Sequence, residues 1–315
     1  GRYPLLVKCI ICQTAYGVLN MDQAESLRRR MGQRFAEPPA PVAHPKAKTL
    51  AVMSGKGGVG KSNISLNTAL AFLEKGKSVL LIDLDVGMGN IDILIGRQSL
   101  CTVMDLLQQK IPFERALSAG PRGLQYISGG TGLDAMFELN GENWAFFLKE
   151  LTRALISFDY VIFDMGAGLS KDQLPFVLSA DEILVVTTPE PTSIMDAYSA
   201  IKHLALTGRD LQLKVAVNRC TTQKDGISAF LRLSNTVNAF LQQKLAYAGP
   251  IPEDPLVPRA VVEQQPFLMK NPRSKPSRAV YLLAESLLDN GRTEIGENRS
   301  FIDKLSSFLR RGNTL

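Results

Sequence analysis

Apolar segments of strand length alternate with helical segments along most of this chain. Short apolar runs occur at positions 49–53, 79–85, 124–127, 159–164, 182–187 and 213–217. Apolar positions at helical spacing lie between several of them. Strands that alternate with helices favour a parallel sheet with helices on both faces. We therefore predict a single doubly wound, mostly parallel α/β domain over residues 46–288, flanked by segments at 1–20, 21–45 and 289–315.

A glycine-rich loop joins the first predicted strand to the helix that follows it. The sequence Gly-Lys-Gly-Gly-Val-Gly-Lys-Ser at 55–62 lets successive backbone N–H groups converge on a phosphate. Lys61 can reach the β- and γ-phosphate oxygens, and Ser62 can offer its hydroxyl to Mg²⁺. The helix N-terminus after the loop also favours an anion. The loop predicts binding of ATP or ADP with Mg²⁺ through Gly55, Lys56, Gly57, Gly58, Val59, Gly60, Lys61, Ser62 and Asn63.

Carboxylates follow two of the predicted strands. Asp83 and Asp85 end the strand at 79–85, and Asp164 ends the strand at 159–164. A single aspartate at a strand end is usually a cap or a loop residue. Three of them in a chain with a phosphate-binding loop are better explained by one magnesium–nucleotide site, because carboxylates hold Mg²⁺ directly or through water.

A second lysine near the start of the loop indicates which class of nucleotide-binding protein this is. Taken alone, Lys56 is a solvated surface lysine, but the pattern Lys-Gly-Gly-x-Gly-Lys-Ser resembles the deviant P-loop of the MinD/ParA ATPases. The resemblance implies a homodimer when ATP is bound, in which Lys56 reaches the partner's nucleotide, and slow hydrolysis that resets the switch. It gives Asp85 the role of orienting the attacking water. The implied catalytic residues are Lys56, Lys61 and Asp85, and the implied metal-binding residues are Ser62, Asp83 and Asp164.

Two glycine-bearing segments follow the acidic strand ends, at 87–92 and 165–169. Glycines allow a backbone to change conformation when a γ-phosphate is present, although ordinary flexible turns have the same composition. In the MinD-like pattern, an asparagine after a later strand recognises adenine, and an Ile-Pro-Glu-Asp turn lines the other side of the base. The resemblance therefore adds as nucleotide-binding residues Asn90, Gly166, Asn218, Arg219, Pro252, Glu253 and Asp254.

Residues 21–45 carry a further motif. Asp22 can cap a short helix in which Ala24, Leu27 and Met31 form a narrow apolar stripe, before a proline-rich linker. On these grounds alone, a frayed basic tail is the ordinary interpretation. The motif Asp-Gln-Ala-x-x-Leu-Arg, however, resembles that of the FlhG (YlxH/FleN) family, MinD-like ATPases that help set flagellar number and position. The resemblance implies stimulation of the GTPase FlhF, basal-body or C-ring components as further partners, and partner-binding residues Asp22, Gln23, Ala24, Leu27 and Arg28.

The end of the chain predicts an amphipathic helix after a polar hinge. Ser300 and Asp303 are spaced to cap it. Its apolar face consists of Phe301, Ile302, Leu305, Phe308 and Leu309. Such a helix either docks on its own domain or lies in a membrane interface. The hinge and the terminal Arg310-Arg311 favour reversible binding to an anionic membrane, weak for one subunit and stronger when a dimer presents two helices.

Composition and charge limit the remaining possibilities. The chain has 315 residues and a formal net charge of +6, yet we find no helix-turn-helix or aromatic-interleaved basic pattern, so nucleic acid is an unfavoured partner. No apolar stretch approaches the roughly 20 residues of a membrane span. The four cysteines fit reduced thiols in a chain of this length. We expect a cytoplasmic protein with reversible peripheral association to the inner face of the cell membrane.

Other functional classes share parts of this pattern. A MinD-type division-site regulator has the core and the terminal helix without the N-terminal motif, and a ParA-type DNA-partition ATPase needs a DNA surface instead. A nitrogenase-type iron protein needs paired cluster ligands that Cys101 and Cys220 do not obviously supply. No acceptor pocket of a small-molecule kinase can be identified. Residues 1–20, including Cys9 and Cys12, precede Met21, and we expect them to be either an added leader that is foreign to the protein or an over-extended start.

Overall fold

A computed structural model provides the structure of this protein. It describes residues 47–85, 89–108, 111–130, 141–170, 173–209, 211–288 and 300–312. The chain separates into two units, residues 1–44 and 45–315, and all described residues belong to the second. The predicted leader, the predicted FlhF-binding residues and the polar hinge therefore lie outside the described residues, as does the side chain of Leu309.

An eight-stranded sheet lies at the centre of the second unit. Its strands are β1 (Lys48–Ser54), β2 (Val79–Leu84), β3 (Ser118–Ala119), β4 (Gln125–Ile127), β5 (Tyr160–Ala167), β6 (Glu182–Thr187), β7 (Leu213–Cys220) and β8 (Ala246–Pro252). They lie in the order β3-β4-β2-β5-β1-β6-β7-β8. Neighbouring strands are parallel except at the β3–β4 edge, which is antiparallel. The predicted doubly wound, mostly parallel fold is confirmed.

Helices connect and cover the strands. They are α1 (Lys61–Glu74), α2 (Asn90–Ile95), α3 (Val103–Gln108), α4 (Phe113–Ala116), α5 (Gly141–Ser157), α6 (Leu174–Ser179), α7 (Pro191–Ala205), α8 (Gln223–Leu241), α9 (Leu256–Val262), α10 (Phe267–Lys270), α11 (Lys275–Leu288) and α12 (Phe301–Gly312). None of the described helices has the length and apolar content that a membrane span requires.

The core consists of two apolar layers, one on each face of the sheet. In β1, Ala51 and Met53 point into one layer, and Leu50 and Val52 point into the other. Every residue of β2 and β6 is buried, as expected for parallel strands covered on both faces. This two-sided burial explains why the strands are continuous apolar runs in the sequence.

Several strands extend beyond their predicted ends. β5 continues past Asp164 to Ala167, so the first part of the segment at 165–169, which we predicted as a turn, is strand. β8 likewise contains Ile251 and Pro252, the first two residues of the predicted Ile-Pro-Glu-Asp turn, and ends at Pro252. These residues remain in strands because a parallel neighbour continues alongside each of them. The turn predictions at these two places are wrong in extent.

Helix α12 docks on the domain. Phe301 is 4% exposed and stacks on Phe163 of β5, with ring centroids 5.1 Å apart, and Leu305 is 0% exposed. Reciprocal hydrogen bonds between Ser300 and Asp303 cap the helix as predicted. Of the two alternatives for this helix, the structure therefore shows docking, and our preference for a membrane-facing apolar surface does not hold in this conformation. The physical reason is that the core supplies an apolar partner to the same face.

Candidate nucleotide-binding site

The phosphate-binding loop connects the end of β1 to the start of α1. Gly58 and Gly60 have φ values of 76° and 93°, in the left-handed region that favours glycine. Gly55 packs against α7, since a Cβ at Gly55 would lie 2.1 Å from the backbone carbonyl carbon of Asp196. The loop conformation therefore depends on glycine at its turns and at its contact with α7.

Lys61 lies in a buried cluster of charged and polar side chains beneath the loop. Its Nζ donates to Asp164 Oδ1 at 2.9 Å and lies 3.8 Å from Asp85 Oδ2. Ser65 on α1 also donates to Asp164 Oδ1, at 2.8 Å. Lys61 is only 5% exposed, so its charge is balanced by these carboxylates. The arrangement brings together residues predicted from three separate sequence segments.

Asp83 and Asp164 lie side by side on adjacent strands, because they pair in the register of β2 and β5. Asp83 accepts from the backbone N–H groups of Asp85, at 2.9 Å, and Ile91, at 3.3 Å. Burial, followed by repulsion from Asp164, raises the pKa of Asp83 to about 8. A divalent cation nearby would relieve this repulsion and favour the ionised form.

The residues present fit a magnesium ion. Asp164 is 0% exposed, and its Oδ2 has no hydrogen-bond partner among the described residues. The described part of the chain contains no group of three or more His, Cys, Asp or Glu side chains suited to hold a metal ion. Mg²⁺ commonly takes one or two protein oxygens together with phosphate and water. Ser62, Asp83 and Asp164 thus remain predicted metal-binding residues whose positions suit that role.

Asp85 lies at the mouth of the cluster. It is partly exposed, and Asn90 Nδ2 donates to its Oδ2 at 2.8 Å. Burial raises the pKa of Asp85, and the neighbouring Lys61 opposes this rise. Of the predicted segment at 87–92, residues 87 and 88 lie outside the described residues, and Asn90 begins α2. Asn90 therefore joins the start of α2 to the residue predicted to orient water.

Lys56 points away from this cluster. Its Nζ donates to Glu190 Oε2 at 2.8 Å and to Thr192 Oγ1 at 3.2 Å, at the start of α7. The hydrogen bond and charge of Lys56 lower the pKa of Glu190. The two lysines of the loop thus have different environments, one buried among carboxylates and the other on the outer rim.

A cavity of about 730 Å³ opens above the loop at the carboxyl ends of the strands, where ligands bind in open α/β sheets. Its lining includes the predicted residues Gly57, Gly58, Gly60, Lys61, Ser62, Asn63, Asp85, Asn90, Asn218, Arg219, Pro252, Glu253 and Asp254. The predicted residues outside its lining are Gly55, Lys56, Val59, Asp83, Asp164 and Gly166. Asn218, which lines the cavity, also contacts the phosphate-binding loop, because its Nδ2 donates to the Val59 carbonyl at 2.7 Å.

The cavity also has an apolar wall that the sequence did not predict. Val257, Val261 and Val262 of α9 and Phe267 of α10 line it together with the loop. Apolar walls with a few polar groups suit a flat heterocycle such as a nucleobase. The apolar spacing of residues 256–262, directly after Glu253-Asp254, was the available signal for this wall.

Comparisons with known proteins agree with this geometry. A family model for ParA, described as NUBPL iron-transfer P-loop NTPase, matches residues 46–288. Antiactivator FleN of Pseudomonas aeruginosa is 34% identical over 78% of this chain and 87% of its own length. The flagellum site-determining protein YlxH of Helicobacter pylori is 30% identical over 83% of this chain and 90% of its own. Among solved structures, the MinC:MinD cell division complex of Aquifex aeolicus matches with a TM-score of 0.63 and 28% identity, covering 81% of this chain and 99% of that one.

Proposed function

This chain belongs to the ParA family of P-loop NTPases, in the MinD-like branch that contains FleN and YlxH (FlhG), and we propose that it is an ATP-dependent dimerising switch that controls flagellar number and placement. The flagellar assignment rests on the name of the relative YlxH, a flagellum site-determining protein, and on the motif at 22–28. The switch assignment rests on the nucleotide site described above.

The site supports binding and hydrolysis of ATP. Backbone N–H groups of the loop and the Lys61 ammonium would hold the phosphates, and Ser62 would hold Mg²⁺ together with Asp83 and Asp164 through water. When bound, Mg²⁺ neutralises charge on the phosphates. Asp85, held by Asn90, would orient the attacking water. Residues 251–254 and the apolar wall of α9 suit adenine.

The placement of Lys56 carries the dimer proposal. Its ammonium is bound to Glu190 and Thr192 on the outer rim, whereas Lys61 occupies the carboxylate cluster. Since Lys61 already serves the phosphates of its own subunit, Lys56 is placed for a nucleotide that approaches from outside. Glu190 is 59% exposed in its side chain, so this ion pair can open at little cost. In the dimer, the ammonium would exchange a surface carboxylate for a phosphate.

The test is the molar mass in solution with ATP, with ADP and without nucleotide, measured by light scattering. We expect a dimer with ATP alone. Lys56→Ala should abolish this dimer and ATP hydrolysis while retaining ADP binding, whereas Lys61→Ala should weaken nucleotide binding itself. Lys75→Ala is the matched control, because Lys75 also forms a surface ion pair, with Glu285 at 2.7 Å, away from the loop. Equal losses of ADP binding in the Lys56 and Lys61 variants would refute the assignment of Lys56 to the partner's nucleotide.

We propose that the segment at 21–35 stimulates the GTPase FlhF. Support comes from its motif alone, since these residues lie outside the described structure. A peptide of residues 21–35 should accelerate GTP hydrolysis by FlhF. Gln23→Ala should lose the stimulation while binding is largely retained, and Leu27→Ala should weaken binding. A peptide that binds FlhF and leaves its rate unchanged would refute the activator role and would favour a MinD-type regulator.

Membrane binding through α12 would require release of the docked helix. Phe301 and Leu305 must leave the core before they can enter a lipid interface. Each such side chain contributes about 1.5–3 kcal/mol when it is buried from water, and the lipid interface would offer comparable burial. Docking and membrane binding therefore compete for the same apolar side of α12. Because the two states bury it to a similar extent, association with the inner side of the membrane would be reversible.

A further inference from the structure

The side chain of Asn218 forms a direct link to the phosphate-binding loop. Its Nδ2 donates to the backbone carbonyl of Val59 at 2.7 Å, although the two residues are 159 positions apart. Because a carbonyl oxygen only accepts hydrogen bonds, the NH₂ group of the amide faces the loop. Asn218 is partly buried and lines the nucleotide cavity. The bond therefore joins the last part of β7 to the loop within the candidate site.

The peptide unit between Val59 and Gly60 is the part of the loop that this bond holds. The Val59 side chain is 2% exposed, so that residue is anchored in the core. Gly60 has a φ of 93° and no side chain, so local sterics leave the peptide on its amino side free to rotate. A hydrogen bond from elsewhere in the fold can therefore decide the orientation of this peptide, and Asn218 supplies it.

The orientation of this peptide decides where the Gly60 N–H points. In a trans peptide, the C=O and N–H bonds point in opposite directions. With the Val59 carbonyl bound to Asn218, the Gly60 N–H faces away from Asn218. The same bond keeps the carbonyl oxygen from turning toward a phosphate, which it would repel. Gly60 lines the cavity directly before α1, at a place where backbone N–H groups of such loops bind phosphate oxygens.

Gly60 also makes the approach of Asn218 possible. A Cβ at position 60 would lie 2.3 Å from Asn218 Nδ2. A side chain there would push the amide away from the Val59 carbonyl. Glycine at this position is thus required by the positive φ of the loop and by the contact with the amide.

Asn218 is itself held at a fixed point of the sheet. Val217, directly before it, pairs with both β6 and β8, and the Cys220 carbonyl after it accepts from the Glu253 N–H at 3.0 Å. Arg219 lies between these anchors with a φ of 56°, which is uncommon for a residue with a side chain. A donor on a rigid strand end can hold a loop in one conformation, because its own position is already set.

We propose that Asn218 is a positioning residue for the phosphate-binding loop, which fixes the Val59–Gly60 peptide so that the Gly60 N–H is directed to the phosphates. The proposal rests on the proposed nucleotide-binding function. It differs from the contact with adenine that we expect of Asn218 from the family resemblance. A residue that only contacts the base has no effect on a ligand without a base, whereas a residue that positions the loop affects every ligand that carries the phosphates.

The test measures the affinity of the full chain for ADP and for magnesium pyrophosphate by calorimetry. Asn218→Ala removes the amide without adding a charge or a steric clash. We expect it to weaken binding of both ligands about five- to tenfold. Gln243→Ala is the matched control, because Gln243 Nε2 also donates to a backbone carbonyl, that of Leu211 at 3.1 Å, before the start of β7 and away from the nucleotide site. The control should bind both ligands as wild type does.

The amide proton signal of Gly60 separates loop positioning from a general structural role. In protein with isotope-labelled glycine, the signal is identified by its absence from Gly60→Ala. Saturating pyrophosphate should move it downfield in wild type, because an N–H that binds an anion is deshielded, and should move it less in Asn218→Ala. The signal of Gly76, at the far end of α1, should be the same in both proteins.

Three results would overturn the proposal: pyrophosphate affinity within about twofold of wild type in Asn218→Ala, a loss confined to ADP, or an undiminished shift of the Gly60 signal. If Asn218→Ala does not fold, Asn218→Ser decides by the same criteria, since serine keeps a polar group but is too short to reach Val59. A wild-type chain that binds neither ADP nor pyrophosphate would instead refute the proposed function.

Discussion

Replacing Arg209 with alanine should weaken the docking of α12 without altering the helix itself. The guanidinium carbon of Arg209 lies 4.1 Å from the ring centroid of Phe308, on the part of the helix that is only partly buried. The apolar face that we propose for membrane binding stays intact in this variant. The substitution therefore changes the stability of the docked state and leaves the lipid-binding surface unchanged.

The size of the effect follows from the kind of contact. A cation–π interaction at a partly exposed site contributes about 0.5–1 kcal/mol, so its loss should shift the equilibrium between docked and released helix by about two- to fivefold. Phe301 and Leu305 would continue to hold most of the helix population in place, since both are almost fully buried. The fold of the domain should stay intact.

Hydrogen exchange of residues 300–312 and sedimentation with anionic vesicles measure the two consequences. We expect both the exchange rate of α12 and the fraction bound at limiting lipid to rise by about two- to fivefold. Arg278→Ala on α11 is the control, because it removes the same charge from an exposed position away from α12. Faster exchange with unchanged vesicle binding would refute membrane attachment through α12. Unchanged exchange would refute the contribution of the Arg209–Phe308 contact to docking.

Three further predictions follow from the described contacts. Asp85→Ala should bind ATP, lose hydrolysis and accumulate as a dimer by light scattering; a variant that stays monomeric in ATP would show that Asp85 builds the site instead. Gly55→Ala should weaken ADP binding in calorimetry at least about tenfold, because the added Cβ would lie 2.1 Å from the α7 backbone. Gly57→Ala should lose much less ADP affinity, because the nearest atom to its added Cβ would be 3.7 Å away. Glu182→Gln should lower the free energy of unfolding in urea by about 3 kcal/mol. Glu182 is 6% exposed, and its carboxylate lies 2.7 Å from Lys48 Nζ and 3.2 Å from Lys214 Nζ. A loss below about 0.5 kcal/mol would show that the two lysines are solvated without this carboxylate.

The sequence by itself determined the fold class and the centre of the nucleotide site. Continuous apolar runs identify strands buried on both faces, and the glycine loop at 55–62 lies within one stretch of chain, so its chemistry is local. Asp83 and Asp164 were placed together correctly, because both follow strands whose carboxyl ends meet at one edge of a parallel sheet. Motifs that are contiguous, or that repeat at strand ends, can therefore be interpreted from the sequence.

Only the tertiary structure decided where the side chains around that centre point. Lys56 bonds to Glu190, 134 residues away, and Gln173 bonds to Leu84, 89 residues away. No local pattern specifies either contact. The apolar face of α12 has the same composition whether it meets lipid or protein, and its docked position depends on Phe163, which lies on a distant strand. Amphipathicity predicts that a helix buries one face, but the surface that covers this face is set by long-range packing.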